Sequence, residues 1–239
     1  MSLDVVRKAL IVVSPDIDIP GVDIDQKSWL LYLNSVAGGA WTPDEIMVAR
    51  KYTARQLKEQ VKWASDCDYS FTAFSGHGYS KSETNIVLCL GRREEIGAHE
   101  LLTDAEKQTL VLDCCRMPVE VQVEIVEAAP VKPTLEGHVE RTAARILFDQ
   151  QIEDCDAGIV RLTGCADNEK AGENETYGGL YTHALIKSGR RGTPAVGAVI
   201  DVCAAHAQAK AEVRKLNPRQ TPTGQYDRSG NKFPFGIRI

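Results

Sequence analysis

The chain has 239 residues, 43% hydrophobic and 26% charged, which is the composition of an ordinary globular protein. A net charge of −5, with no long basic block, argues against nucleic acid as a partner. No run approaches the roughly 18 apolar residues of a membrane span, so no membrane partner is expected.

In chain order, Lys8 to Ser14 (KALIVVS) is a short apolar run rich in Val and Ile, and reads as a buried parallel strand. Pro15 to Gly21 is a loop. Asp25 to Val36 carries Trp29, Leu30, Leu33 and Val36 at helical spacing, and Gly38-Gly39 ends that helix. Glu45 to Ala49 is a second strand. Thr53 to Ala64 is a helix with Thr53 as N-cap and Leu57, Val61 and Ala64 on one face. Asp68 to Phe74 is a third strand, ending in Ser75-Gly-His-Gly78. Thr84 to Leu90 reads as a hairpin arm with Gly91-Arg92-Arg93 as its turn. Ala98 to Leu102 is a short helix and Gln108 to Leu112 a fourth strand.

After Arg116 the pattern changes. Met117 to about Asp156 holds three prolines and many charges, and reads as a partly exposed connector with helical pieces at Glu120 to Ala128 and Glu140 to Gln151. Gly158 to Gly164 is a fifth strand. Thr176 to Lys187 and Val196 to Leu216 read as helices, Pro218 to Gly230 as a turn-rich segment, and Phe233 to Ile239 as the last strand. Strand–helix alternation with short connections predicts one α/β domain over residues 1–239, with about six mostly parallel strands and helices on both faces.

Seven cysteines without a CxxC pair, and an apolar run of only Ala9 to Val13 near the start, fit a cytoplasmic protein without a secretory leader. Most of the cysteines are expected to be small core residues. Two strands stop at reactive side chains: Phe74-Ser-Gly-His-Gly78 and Leu110-Val-Leu-Asp-Cys-Cys-Arg116. Ligands of open α/β sheets bind at the carboxyl ends of strands. A thiol beside an imidazole is the minimal kit for a cysteine nucleophile and its base. Of the adjacent pair, alternation turns Cys114 to the core if Cys115 faces the cleft, and Asp113 then leans to the Cys115 side.

The chain resembles the caspase/metacaspase family of cysteine peptidases, on the metacaspase side, over nearly its whole length. Ile19-Pro-Gly-Val-Asp-Ile-Asp25 is similar to the early "LxGCxND" segment. Ser75-Gly-His-Gly78 matches the His-Gly motif and Asp113-Cys-Cys115 the D-x-C motif. Gly164-Cys-Ala-Asp-Asn168 and Gly178-Gly-Leu-Tyr-Thr182 resemble "SAC.DN" and "GGxFT". The resemblance implies a caspase-like three-layer α/β/α sandwich with a large-subunit-like part (1–116), a connector (117–157) and a small-subunit-like part (158–239). It implies Cys115 as nucleophile, His77 as proton shuttle, and the N–H groups of Gly78 and Cys115 as oxyanion hole. Asp25 and Asp113, with Cys165 and Asp167 nearby, would line a pocket for Arg or Lys before the scissile bond of a protein substrate.

Further expectations follow from the same resemblance. The Cys115 thiol should be held acidic by His77 or by a helix N-terminus supplied by residues 119 to 128. Arg116, Lys132, Arg141 and Arg145 are candidate self-cleavage sites. No cofactor is required. Calcium activation is compatible with acidic residues such as Asp16, Asp23 and Asp25, although no EF-hand spacing occurs and no metal ligands are assigned. The molecule would be a monomer, or a homodimer through its last strand. The chain departs from the family pattern at Arg116-Met117-Pro118, where small residues and glycine are the rule. Two other classes compete: an inactive caspase-like scaffold, and a general α/β hydrolase, which lacks its GxSxG here.

Overall fold

The elements run β1 (Arg7–Ser14), α1 (Val22–Asn34), β2 (Ile46–Arg50), α2 (Ala54–Ser65) and β3 (Tyr69–Gly76). Then come β4 (Gly78–Ser82), β5 (Asn85–Cys89), β6 (Glu95–Gly97), β7 (Lys107–Asp113), α3 (His138–Asp154) and β8 (Gly158–Thr163). The chain closes with β9 (Glu173–Asn174), β10 (Gly178–Gly179), α4 (Leu180–Arg191), β11 (Ala198–Asp201), α5 (Val202–Leu216), β12 (Thr223–Tyr226) and β13 (Pro234–Arg238). This computed structural model describes residues 5–16, 19–50, 52–82, 85–91, 94–116, 137–191, 197–227 and 232–239.

The central sheet has six strands in the order β12-β8-β7-β3-β1-β2. β2, β1, β3, β7 and β8 are mutually parallel, and β12 runs antiparallel to β8. The inner strands are the apolar runs of the sequence, because a parallel sheet covered on both faces needs apolar residues at every position. Alternation divides them cleanly. Ala9, Ile11 and Val13 pack with Trp29, Tyr32, Phe148, Leu185 and Val213, from α1, α3, α4 and α5. Leu10 and Val12 pack with Leu57 and Val61 of α2 and with Ile86, Leu88 and Leu101 on the other face. The result is the three-layer α/β/α arrangement that was expected.

Several segments differ from the sequence reading. The hairpin arm is the middle strand of a three-stranded antiparallel sheet, β4-β5-β6, whose first strand begins at Gly78. Val196 to Leu216 splits into β11 and α5, divided at Asp201, whose carboxylate accepts from the Ala204 N–H at 2.8 Å as the N-cap. Phe233 to Ile239 supplies a strand that does not join the central sheet: β13 pairs with β11 in its own ladder. Tyr32 OH donates to the Phe235 carbonyl at 2.6 Å, and Phe235 packs against Trp29 and Phe71. The sixth sheet strand is β12, inside the segment read as turns. Its residues, Thr-Gly-Gln-Tyr, are half-buried or exposed, so no apolar run marks it. A dimer through the last strand would therefore engage the β11–β13 ladder, whereas the sheet itself ends at β12.

The connector also contributes to the core. α3 buries Ala144, Phe148 and Ile152. Lys107 Nζ donates to the Ile152 carbonyl at 2.6 Å at the end of α3, where a cation is favoured. Arg7, fully buried on β1, lies 3.3 Å from Asp149 of α3 and 3.5 Å from Glu45, with its guanidinium over Trp41 and Phe148. Residues 117–136, including the expected helix Glu120 to Ala128, lie outside the described residues.

Candidate active site

β3 and β7 are neighbours, paired from Tyr69 with Lys107 to Ser75 with Asp113. His77 and Cys115 each stand two residues beyond that last pair. Adjacent strands lie about 4.8 Å apart, so an equal advance along both brings imidazole and thiol to one end of the sheet. His77 is half-buried, and its carbonyl accepts from the Cys89 N–H at 3.0 Å, which fixes the turn against β5. Gly78 opens β4 opposite Leu88. A Cβ there would lie 2.8 Å from Cys114 Sγ and 2.9 Å from the Val87 carbonyl. The glycine is thus required by packing, apart from any approach of substrate.

Cys114 and Cys115 divide as alternation predicts. Cys114 is 3% exposed and packs with Leu110 and Leu112. Cys115 is half-buried, and its thiol donates weakly to the Ala171 carbonyl at 3.8 Å. Burial pushes the Cys115 thiol up from its ordinary value, and the charges of Asp113 and Glu173 push the same way, against Lys170. The expectation of a thiol held acidic is therefore not met, and the proposed helix at 119 to 128 lies outside the described residues. At neutral pH the resting group is a thiol. Iodoacetamide is expected to label Cys115 slowly at pH 7, with the rate climbing only as pH passes 9. Fast labelling at pH 7 would show a thiolate already present.

Asp25 does not cap α1; Gly21 holds the N-cap position. Asp25 instead occupies the buried face of α1 with Val22, Trp29, Tyr32 and Leu33, and is 2% exposed. Its Oδ1 accepts from the Gly179 N–H at 2.8 Å. Asp113 Oδ2 accepts from the Thr182 N–H, also at 2.8 Å. Both carboxylates thus sit on the N-terminus of α4, where backbone donors and the helix dipole favour negative charge. Two glycines make room. Gly178 has φ +80, a conformation costly for other residues, and a Cβ on it would run into Asp25; one on Gly179 would run into Asp113.

Burial raises both carboxyls, and the negative charge of Asp113 raises Asp25 further. Asp113 Oδ1 is buried with no hydrogen-bond partner among the described residues. Glu173, which carries no motif in the sequence, joins the pair. Burial and then Asp113 push it up to about 7. Its charge also bears on the Cys115 thiol, whose acceptor Ala171 lies two residues before it. No signal in the sequence distinguishes it from the other acids of the 167–175 stretch.

Cys165 and Asp167 are placed differently. Cys165 is fully buried, its thiol donating to the carbonyls of Cys114 at 3.3 Å and Glu169 at 3.4 Å. Asp167 faces Arg116, with 3.6 Å between Oδ1 and Nη2. Arg116 is 5% exposed and so is not presented for cutting. Of the other candidate cleavage sites, Arg141 and Arg145 lie within α3, where Arg145 pairs with Glu45. Lys132 lies outside the described residues. For calcium, no cluster of three or more ligating side chains occurs among the described residues, and Asp23 is paired with Arg50 at 2.5 Å.

Comparison with known proteins bears on the fold and the family. A search of curated proteins finds no match. Among solved structures, caspase-1 from Spodoptera frugiperda superposes with a TM-score of 0.59 at 12% identity, over 92% of this chain and 86% of that one. That likeness shows the fold: a caspase-like α/β sandwich. The family model for the caspase domain matches residues 8–233, which carry both strand ends and both buried aspartates, and the chain belongs to the caspase-domain family of cysteine peptidases.

Proposed function

We propose that the protein is an endopeptidase of the metacaspase kind that cuts protein chains after Arg or Lys. One observation carries this reading. Asp25 and Asp113 are buried together at the start of α4, the charges of Asp113 and Glu173 bear on the Cys115 thiol, and none of the three is ion-paired to a Lys or Arg among the described residues. Desolvated carboxylates without a counter-ion are costly, and an entering guanidinium or ammonium relieves that cost. An acidic side chain would add a further negative charge where charge is already desolvated.

The chemistry starts from the neutral thiol. As Cys115 Sγ attacks the carbonyl carbon, its proton passes to His77, and the oxyanion is held by the N–H groups of Gly78 and Cys115. Collapse breaks the C–N bond, the His77 imidazolium protonates the leaving amine, and water then hydrolyses the thioester. The arriving cation neutralises the carboxylates that push the Cys115 thiol up, so binding and thiolate formation favour each other. The absence of a disulfide among the described cysteines supports a reducing, cytoplasmic setting.

The test is a set of fluorogenic peptides ending in Arg, Lys or Asp, each with and without calcium. Cleavage after Arg and Lys alone is expected. Cleavage after Asp would remove the pocket reading. Silence on every peptide, with Cys115 inert to alkylation even in alkali, would return the chain to the scaffold class.

The pocket also predicts a pH profile. A carboxyl raised to about 7 is neutral below that pH and offers a cation no counter-charge. For Arg peptides, kcat/KM is expected to rise as pH passes through about 7. In Glu173→Gln that rise should flatten, with kcat/KM at pH 8 lower by about tenfold, the order of one partly exposed charge contact. An unchanged profile in the variant would place Glu173 outside the pocket.

A further inference from the structure

Three segments of the site meet at the residue after the nucleophile. The Arg116 side chain leaves the end of β7 and is almost fully buried. Its Nε donates to Ser80 Oγ at 2.9 Å. Ser80 lies on β4, two residues after Gly78. The Arg116 Nη2 stands 3.6 Å from Asp167 Oδ1, and the Arg116 peptide N–H donates to the Glu169 carbonyl at 2.9 Å. Asp167 and Glu169 belong to the loop between β8 and β9, the same loop whose Ala171 carbonyl receives the Cys115 thiol. Glu169 secures this loop further, its Oε2 accepting from the N–H groups of Ala166 and Thr221.

One guanidinium therefore bridges the strand that carries the oxyanion donor and the loop that faces the nucleophile. It does so from the position directly after Cys115. A planar fork can hold a hydroxyl and a carboxylate at once; an ammonium on a flexible stem cannot reproduce that geometry.

We propose that Arg116 is a positioning residue for catalysis, holding β4 and the 164–172 loop in register around Cys115 Sγ. The inference rests on Cys115 being the nucleophile. Its signature is kinetic. A donor or thiol displaced by about 1 Å harms the transition state far more than substrate binding, and the loss reaches about 10²-fold. The loss should therefore fall on kcat and leave KM in place.

The experiment is steady-state cleavage of an Arg peptide by the wild-type protein and by Arg116→Lys, Asp167→Asn and their combination, with thermal melts of each. Arg116→Lys is expected to lose roughly 10- to 100-fold in kcat with KM within about twofold. Asp167→Asn should lose less, and the double variant no more than Arg116→Lys alone, because both remove one bridge. Wild-type kcat in Arg116→Lys and Asp167→Asn, or a loss confined to KM, overturns the proposal. Should Arg116→Lys fail to fold, Asp167→Asn with Ser80→Ala decides by the same criterion. An inert wild type overturns the peptidase reading and this inference with it. An active wild type with unaffected variants overturns this inference alone.

Discussion

Cys115→Ala is expected to lose cleavage after Arg and Lys by about 10⁴-fold or more in kcat, while keeping its fold. The magnitude follows from removing the group that forms the covalent intermediate; what remains is rate enhancement from binding and the oxyanion hole. The fold should survive because, among the described residues, the half-buried Cys115 makes one weak hydrogen bond, to the Ala171 carbonyl. Cys114 is the control. It is buried, and it seats Gly78. Cys114→Ala should destabilise by about 1–2 kcal/mol, as a small core truncation does, and leave the chemistry running. The measurement is peptide turnover beside a thermal melt. Turnover that survives in Cys115→Ala but disappears in Cys114→Ala would reverse the two assignments.

Asp113→Asn should lower kcat/KM for Arg peptides by roughly 10²–10³-fold, the range found when one partner of a desolvated charge pair is removed. Asparagine suits the test because its carbonyl oxygen can still accept from the Thr182 N–H, so the start of α4 stays capped while the charge is lost. Asp25→Asn should act in the same direction, through Gly179. Peptides with an uncharged residue at the cut should be little affected or improved, since the penalty against them is the uncompensated charge. If both variants keep wild-type selectivity for Arg, the two aspartates are helix caps and nothing more.

Much of this was legible in the chain, for reasons that differ element by element. β1, β3, β7 and β8 are apolar runs because both faces of the sheet are covered, and such runs can be read without further context. Thr53 was legible as the cap of α2 because its oxygen accepts from the Gln56 N–H and Gln56 reaches back, a wholly local arrangement. β12 was not legible, since an edge strand with a half-exposed face needs neither apolar residues nor alternation. β13 was recognised as a strand but not assigned its partner, because pairing with β11 depends on a helical layer that no local pattern encodes.

The site divides the same way. His77, Cys115, Asp25 and Asp113 stand at the end of a readable strand or on a readable helix face. Glu173 was missed because a two-residue strand in a polar turn has no periodicity, and what singles it out is burial beside the charge of Asp113. Asp167 was expected in the pocket and faces Arg116 instead. The lesson of Arg116 is similar: its sequence position suggests an interrupted motif, whereas the fold surrounds it with acceptors.

The two aspartates are held by the first backbone amides of α4, and this limits how the protein could diverge. Here the groups that would choose the substrate also satisfy the start of a buried helix, and Gly178 and Gly179 have given up their side chains to let them approach. Inverting the preference by placing Arg at position 25 or 113 would set a cation against a helix N-terminus and leave buried amides unpaired. With the proposed pocket, a lineage would tune which basic residue it takes, and crossing to acidic substrates would mean rebuilding the beginning of α4. On that reading, selectivity and foldability would be inherited as one trait.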